Sequence, residues 1–227
     1  MLGLSEDSEI YHKYCVLYQA FSQAEDAEGK IATFLRCATR RKTVLDIGCG
    51  NGKYAGELAP STLKYFGIDS SYSQLQLAQL HTRPLSNVEF AQCQAEQLCL
   101  PSRSLDVAVA MWSIGSICGE ERRRQALVEA ERVVREKGSI YLIENAETGR
   151  FQAIRGEHYK YKARAYNEWL KKQGYAPVAT LSTRFKFSSL REAKIIFDFL
   201  WGDEVATQVT SASIPHDVLI FGKGGAL

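Results

Sequence analysis

A chain of 227 residues that is 45% hydrophobic can bury a full core, and its formal net charge of +2 is spread over both signs, unlike the concentrated basic face of a nucleic-acid binder. The one basic run, Arg122-Arg123-Arg124, sits among Glu120, Glu121, Glu129 and Glu131 and reads as a solvated helix face, so nucleic acid is not an expected partner. No stretch is long and apolar enough to cross a bilayer, Met1 to Ile10 lacks a leader's apolar core, and the six cysteines show no metal or disulfide spacing. The expectation is a cytoplasmic chain with reduced thiols and no metal, folded as one domain over 1–227.

In chain order, Tyr11, Cys15, Tyr18 and Phe21 share one helical stripe ahead of the first strand, suited to an N-terminal lid within 1–40. Thr43 to Gly48 reads as a buried strand, Lys53 to Ala59 as a short helix and Leu63 to Ile68 as the next strand. Ser71 with Gln74 three residues on predicts a capped helix start. Asn87 to Ala91 is a third strand, and Leu105 to Met111 a fourth, rich in valine and alanine as expected when both faces are covered. Leu127, Ala130, Val133 and Val134 predict a helix over 120–136, ended by Lys137-Gly138 before a strand from Ser139 to Ile143. This alternation predicts a parallel, doubly wound sheet, with a cofactor core over 41–144.

From 145 to 227 the pattern turns to elaborations: a polar insertion from Asn145 to Lys160, a helix carrying Ala163, Tyr166, Trp169 and Leu170, and a long strand from Tyr175 to Phe187. Ser189 with Glu192 marks another capped helix, which Gly202 ends, and Val218 to Gly222 is the last strand.

The chemistry concentrates at Gly48-Cys49-Gly50-Asn51-Gly52, where the first strand breaks into a glycine turn. Ligands of open α/β sheets bind beyond the carboxyl ends of the strands, and glycines there permit positive φ and close backbone approach. A dinucleotide fingerprint needs a third glycine at position 53, which is Lys53, so a pyrophosphate ligand is disfavoured. Asp69, ending the second strand, is placed to accept hydrogen bonds from ribose hydroxyls and would repel a 2′-phosphate. The plainer alternative is a tight βα turn, with Asp69 capping the next helix.

Leu45 to Gly52, Gly67-Ile68-Asp69-Ser70-Ser71, and Gln94-Ala95-Glu96-Gln97-Leu98 together resemble the motifs of the class I S-adenosylmethionine-dependent methyltransferases. The resemblance implies a Rossmann-like, doubly wound α/β sheet of seven strands with strand seven antiparallel, an N-terminal helical lid, and helical insertions after strands five and six. It implies S-adenosyl-L-methionine as cofactor, with S-adenosyl-L-homocysteine as product. The implied cofactor contacts are Asp46, Gly48, Cys49, Gly50, Gly52, Asp69, Ser70, Gln94, Ala95, Glu96, Met111 and Trp112. Gln94 stands where the family usually has an aspartate facing the adenine amino group, and its amide oxygen can accept the same bond.

The acceptor side is less legible. Trp112 could wall the site against water or serve as an ordinary core aromatic. Tyr11, Tyr18, Tyr54, Glu144 and Tyr159 are the substrate-side candidates, and His158 is the candidate general base because its ordinary pKa lies near working pH. His216, after Pro215, reads as structural. The expected activity is methyl transfer to N, O or C of a small molecule or short peptide. The alternatives are a transfer-RNA modified-nucleoside methyltransferase and a cofactor-binding sensor or partner subunit without catalysis. Neither the acceptor nor the oligomeric state follows from the sequence.

Overall fold

The computed structural model describes residues 15–225. Tyr11 lies outside them. Seven strands form one sheet: β1 Thr43–Ile47, β2 Lys64–Asp69, β3 Val88–Gln92, β4 Leu105–Met111, β5 Val134–Asn145, β6 Ala176–Lys186 and β7 Ser213–Gly224. Their order is β3-β2-β1-β4-β5-β7-β6. β1 to β5 pair in parallel, and β7 runs antiparallel to both β5 and β6. The strand order reverses beside β1, so a crevice opens at the carboxyl ends of β1 and β4.

Side-chain alternation explains the layers. Leu45 and Ile47 of β1 face one apolar layer, where Ala126, Leu127 and Ala130 of helix α5 (Glu120–Val133) and Leu170 of α7 (Glu157–Lys172) cover the sheet. Val44 faces the opposite layer, built with Ile31 and Leu35 of α2 (Lys30–Thr39) and Tyr54, Ala55 and Leu58 of α3 (Lys53–Leu58). Full burial of each such aliphatic side chain contributes about 1.5–3 kcal/mol. Ser71 caps α4 (Tyr72–His81), its hydroxyl accepting from the Gln74 backbone N–H, and Ser189 caps α8 (Leu190–Trp201) through the Glu192 N–H.

A third apolar cluster lies beyond the carboxyl edge. Ala24 from α1 (Cys15–Ala24), Phe151 and Ile154 from α6 (Gly149–Arg155), Phe185 at the end of β6, and Ile196 and Phe197 of α8 build it, together with Ala206 of α9 (Asp203–Thr207). Phe21 of α1 stacks on Phe185 with ring centroids 4.8 Å apart, so α1 roofs this edge. Among the described residues of the 1–40 segment, α1 roofs the edge, whereas α2 buries Ile31 and Leu35 against the face of the sheet.

Several boundaries differ from the sequence reading, and the last strand, expected from Val218 to Gly222, already begins at Ser213. The helix expected over 120–136 ends at Val133, and Val134 opens β5 by pairing with Leu105. A β-branched pair beside an available strand edge favours extended backbone, and the Arg135 guanidinium fixes the turn by binding the Asp106 carboxylate. The insertion after Glu144 is helical, as the family resemblance implies: α6 and the start of α7 are separated by Gly156, whose φ of +88° a side chain would oppose.

Candidate active site

Gly48, Gly50 and Gly52 adopt φ of +73°, +52° and +73°. Their surroundings differ. A Cβ on Gly48 would lie 2.4 Å from the Ser113 Cβ, and one on Gly52 would lie 2.8 Å from the Ala78 Cβ, so these two glycines serve internal packing. A Cβ on Gly50 would meet only the Gln74 amide oxygen, at 3.8 Å, which leaves the ligand-facing side of the turn open.

The hydrogen bonds of the turn exclude a phosphate cradle. The Gly48 and Cys49 N–H groups both donate to the Ile68 carbonyl, at 2.8 and 2.9 Å, and the Gly52 N–H donates to the Cys49 carbonyl. The Gly50 N–H donates to the Asp69 carboxylate at 2.9 Å, whose other oxygen accepts from the Ser71 N–H at 2.8 Å. With these donors satisfied internally, the turn offers shape rather than an anion nest. These two bonds hold the Asp69 carboxylate at the tip of β2, beside the glycine turn.

Asp46 supplies the fit test for a cofactor. It is fully buried, the Tyr65 hydroxyl donates to one of its oxygens, and the other oxygen has no partner. Burial pushes its pKa up to about 7, with the Tyr65 bond opposing and Asp69 adding to the rise. An unsatisfied carboxylate oxygen beneath an open glycine turn fits a ligand that brings a donor. The Cys49 thiol instead packs back toward Gly67 of β2, so only the Cys49 backbone is offered to a ligand.

At the end of β4, Met111 is buried and Trp112 holds φ of +50°, which is rare for a bulky residue. The Trp112 ring stacks on His216, centroids 5.9 Å apart, and its indole N–H is buried without an acceptor. At the end of β3, the Cys93 N–H donates to the Asp69 carbonyl, which brings Gln94 to Glu96 beside Asp69. Gln94 is exposed, Ala95 is half-buried, and Glu96 is engaged by Arg122 at 2.7 Å. Ser70 is exposed, and its carbonyl accepts from Gln92.

The acceptor-side candidates separate. Tyr54 is buried in the α3 layer, its hydroxyl unpartnered. Glu144 is buried at the end of β5 with an unpartnered oxygen, and burial pushes its pKa up to about 8. Tyr18 lies on α1 with its ring 6.0 Å from Phe21, and Tyr159 stands 4.3 Å beneath the Arg155 guanidinium. His158 is exposed at the start of α7, its ring 5.4 Å from Tyr159.

Three features of this edge were missed by the sequence reading. His216, read from the sequence as structural, is 1% exposed and packs between Phe185 at 4.8 Å, Phe151 at 4.7 Å and Trp112. Its Nε2 bonds the Asn145 side-chain oxygen at 2.8 Å and its Nδ1 has no partner. Desolvation, then the positive charges of Arg155 and Lys53, push its pKa down to about 3, so it is a neutral hydrogen-bonding ring at working pH. Lys53, read only as the missing third glycine, donates to the Ser22 and Glu25 carbonyls at 2.6 Å each and so ties α1 to the cofactor turn. Arg155 is the third feature. A histidine beside a proline and a lysine inside a turn carry no local signal of these long-range partners.

Fold and site together fit a nucleoside-cofactor protein of the doubly wound α/β class, with a cluster of aromatic rings around His216 at the carboxyl edge. Residues 44–138 match the family model for the methyltransferase domain. The chain is 29% identical over 140 residues to an Arabidopsis thaliana tRNA (carboxymethyluridine(34)-5-O)-methyltransferase, covering 60% of this chain and 32% of that protein. It is 30% identical over 125 residues to the ubiquinone/menaquinone biosynthesis C-methyltransferase UbiE of Campylobacter jejuni, covering 51% of each. It thus spans about a third to a half of these relatives. Among solved structures, a chain described as a methyltransferase in complex with the Haloferax volcanii Trm112 activator superposes with a TM-score of 0.65 at 14% identity, covering 100% of this chain and 99% of that one. Residues 44–138 thus carry a methyltransferase domain, and the residues described above fit S-adenosylmethionine as its cofactor. Among the described residues no helix is long and apolar enough to cross a membrane.

Proposed function

We propose that this chain transfers the methyl group of S-adenosylmethionine to a small-molecule or short-peptide acceptor bound between Trp112, His216 and the roof made by α1, α6 and α8. The observation that carries this reading is where the buried, unpartnered polar atoms lie. Asp46 Oδ1, the Trp112 indole nitrogen, Glu144 Oε1, Arg155 Nε and His216 Nδ1 are all found at or beside the carboxyl edge. Each would cost about 1–3 kcal/mol if left unsatisfied, and their presence near the ends of β1, β4 and β5 supports a ligand-completed surface there.

When bound, the cofactor supplies an electrophilic methyl group on its sulfonium. The open face of Gly50 would admit it, Asp69 would accept from its ribose, and Trp112 would wall the transfer site from water. The acceptor nucleophile has to align with that methyl group, and orientation alone can lower a barrier by about 7–11 kcal/mol. His216 Nδ1 offers a fixed acceptor for one donor of the substrate. For an acceptor that must lose a proton, Glu144 is favoured over His158, because Glu144 is buried, unpartnered and shifted toward neutral pH, whereas His158 is exposed.

Transfer into RNA is the second reading, supported by the name of the Arabidopsis relative. Incubation with methyl-labelled cofactor and extracts split into small-molecule, peptide and RNA fractions separates the two. Label in the small-molecule or peptide fraction is expected, and label confined to RNA would replace this reading with the second.

A further inference from the structure

Arg155, the last residue of α6, is only partly accessible, yet among the described residues it makes no hydrogen bond and no ion pair. Its guanidinium lies 4.7 Å from the Phe151 ring, 4.3 Å from Tyr159 and 4.9 Å from Trp201. Rings stabilise the charge but accept none of the five N–H donors in the guanidinium plane. An arginine in such surroundings ordinarily has a carboxylate beside it. Desolvation pushes the Arg155 pKa down to about 10, so the positive charge persists at neutral pH.

The position matters as much as the missing partner. Phe151 lies between Arg155 and His216, and His216 stacks under Trp112 at the end of β4, so Arg155 stands on the same edge as the end of β4, two rings removed from Trp112.

We infer that the methyl acceptor carries a carboxylate on a flat apolar body, and that Arg155 anchors this carboxylate through its in-plane N–H donors. The planar fork matches two carboxylate oxygens, and the rings of Phe151, Tyr159 and Trp201 suit the apolar part. The inference rests on the methyltransferase reading for the neighbouring cofactor site. Arg155 is an anchor and takes no part in methyl transfer itself.

The test is calorimetric binding to the full chain saturated with S-adenosylhomocysteine, using phenylacetate, 3-phenylpropionate and indole-3-acetate, each paired with its own amide, and inorganic phosphate as a separate arm. At least one carboxylate is expected to bind about tenfold or more tighter than its amide, with no comparable binding of phosphate. Arg155→Met should abolish that preference, and Arg155→Lys should weaken it, while both leave affinity for S-adenosylhomocysteine within about twofold. Equal binding of every acid and amide pair, no binding of any carboxylate, preferential binding of phosphate, or an unchanged preference in Arg155→Met would each overturn the inference. The pairs are compared on the unaltered chain, so the answer does not depend on the variants folding. Failure to bind S-adenosylhomocysteine would instead overturn the underlying methyltransferase reading.

Discussion

The two sides of the carboxyl edge are built on opposite principles. On the β1–β2 side the N–H groups of Gly48, Cys49, Gly50 and Gly52 are satisfied by the protein itself, and Asp69 is held by two backbone donors. On the β4–β5–β7 side, Trp112, Glu144, Arg155 and His216 each keep a buried polar atom without a partner. The first side is preorganised, so a ligand is recognised by shape and a few fixed acceptors. The second is polar but unsaturated, and its ligand has to complete the hydrogen bonding.

Substitutions at the glycines break this comparison most sharply. Gly48→Val combines a disallowed φ with a clash against Ser113, and should cost roughly 2–5 kcal/mol of stability with loss of cofactor binding, read by denaturant melts and calorimetry. Gly50→Val has no packed neighbour, so its stability cost should stay near 1–3 kcal/mol while cofactor binding is still lost, separating ligand approach from packing. Next in size is Asp69→Ala, which removes charge-assisted bonds worth about 1.5–3 kcal/mol each and should weaken S-adenosylhomocysteine by about tenfold or more.

The unsaturated side should show itself through pH. Burial raises the Asp46 and Glu144 carboxyls to about 7 and about 8, above the ordinary values near 4 they recover on unfolding. The folded state therefore holds protons that the unfolded state releases, so their contribution is full below about pH 4 and is lost as pH rises through 7 to 8. The slope from each is at most about 1.4 kcal/mol per pH unit, and Glu144→Gln should flatten the decline in stability measured across pH 5–8. The smallest effect belongs to Gln94→Asp: an exposed side chain at the adenine end should change cofactor affinity by about threefold or less.

Legibility from sequence follows the same division. Capping pairs such as Ser71 with Gln74, alternating β4 residues and the glycine turn carry their information within a few positions, and the cofactor side is assembled from such local signals. His216 meets Asn145 across 71 positions, and Arg155 meets Trp201 from a different helix, contacts that exist only once β5 and β7 have paired. The end of α5 at Val133 is of the same kind, since the pairing of Val134 with Leu105 overrides a helical pattern running to Glu136.

The most direct test of the account is calorimetric titration of S-adenosylhomocysteine into the unaltered chain and into Asp69→Ala. Saturable binding at one site, weakened about tenfold or more by the substitution, is the predicted result. Binding that is absent from the unaltered chain, or equally tight in both, would contradict the placement of the cofactor at the glycine turn.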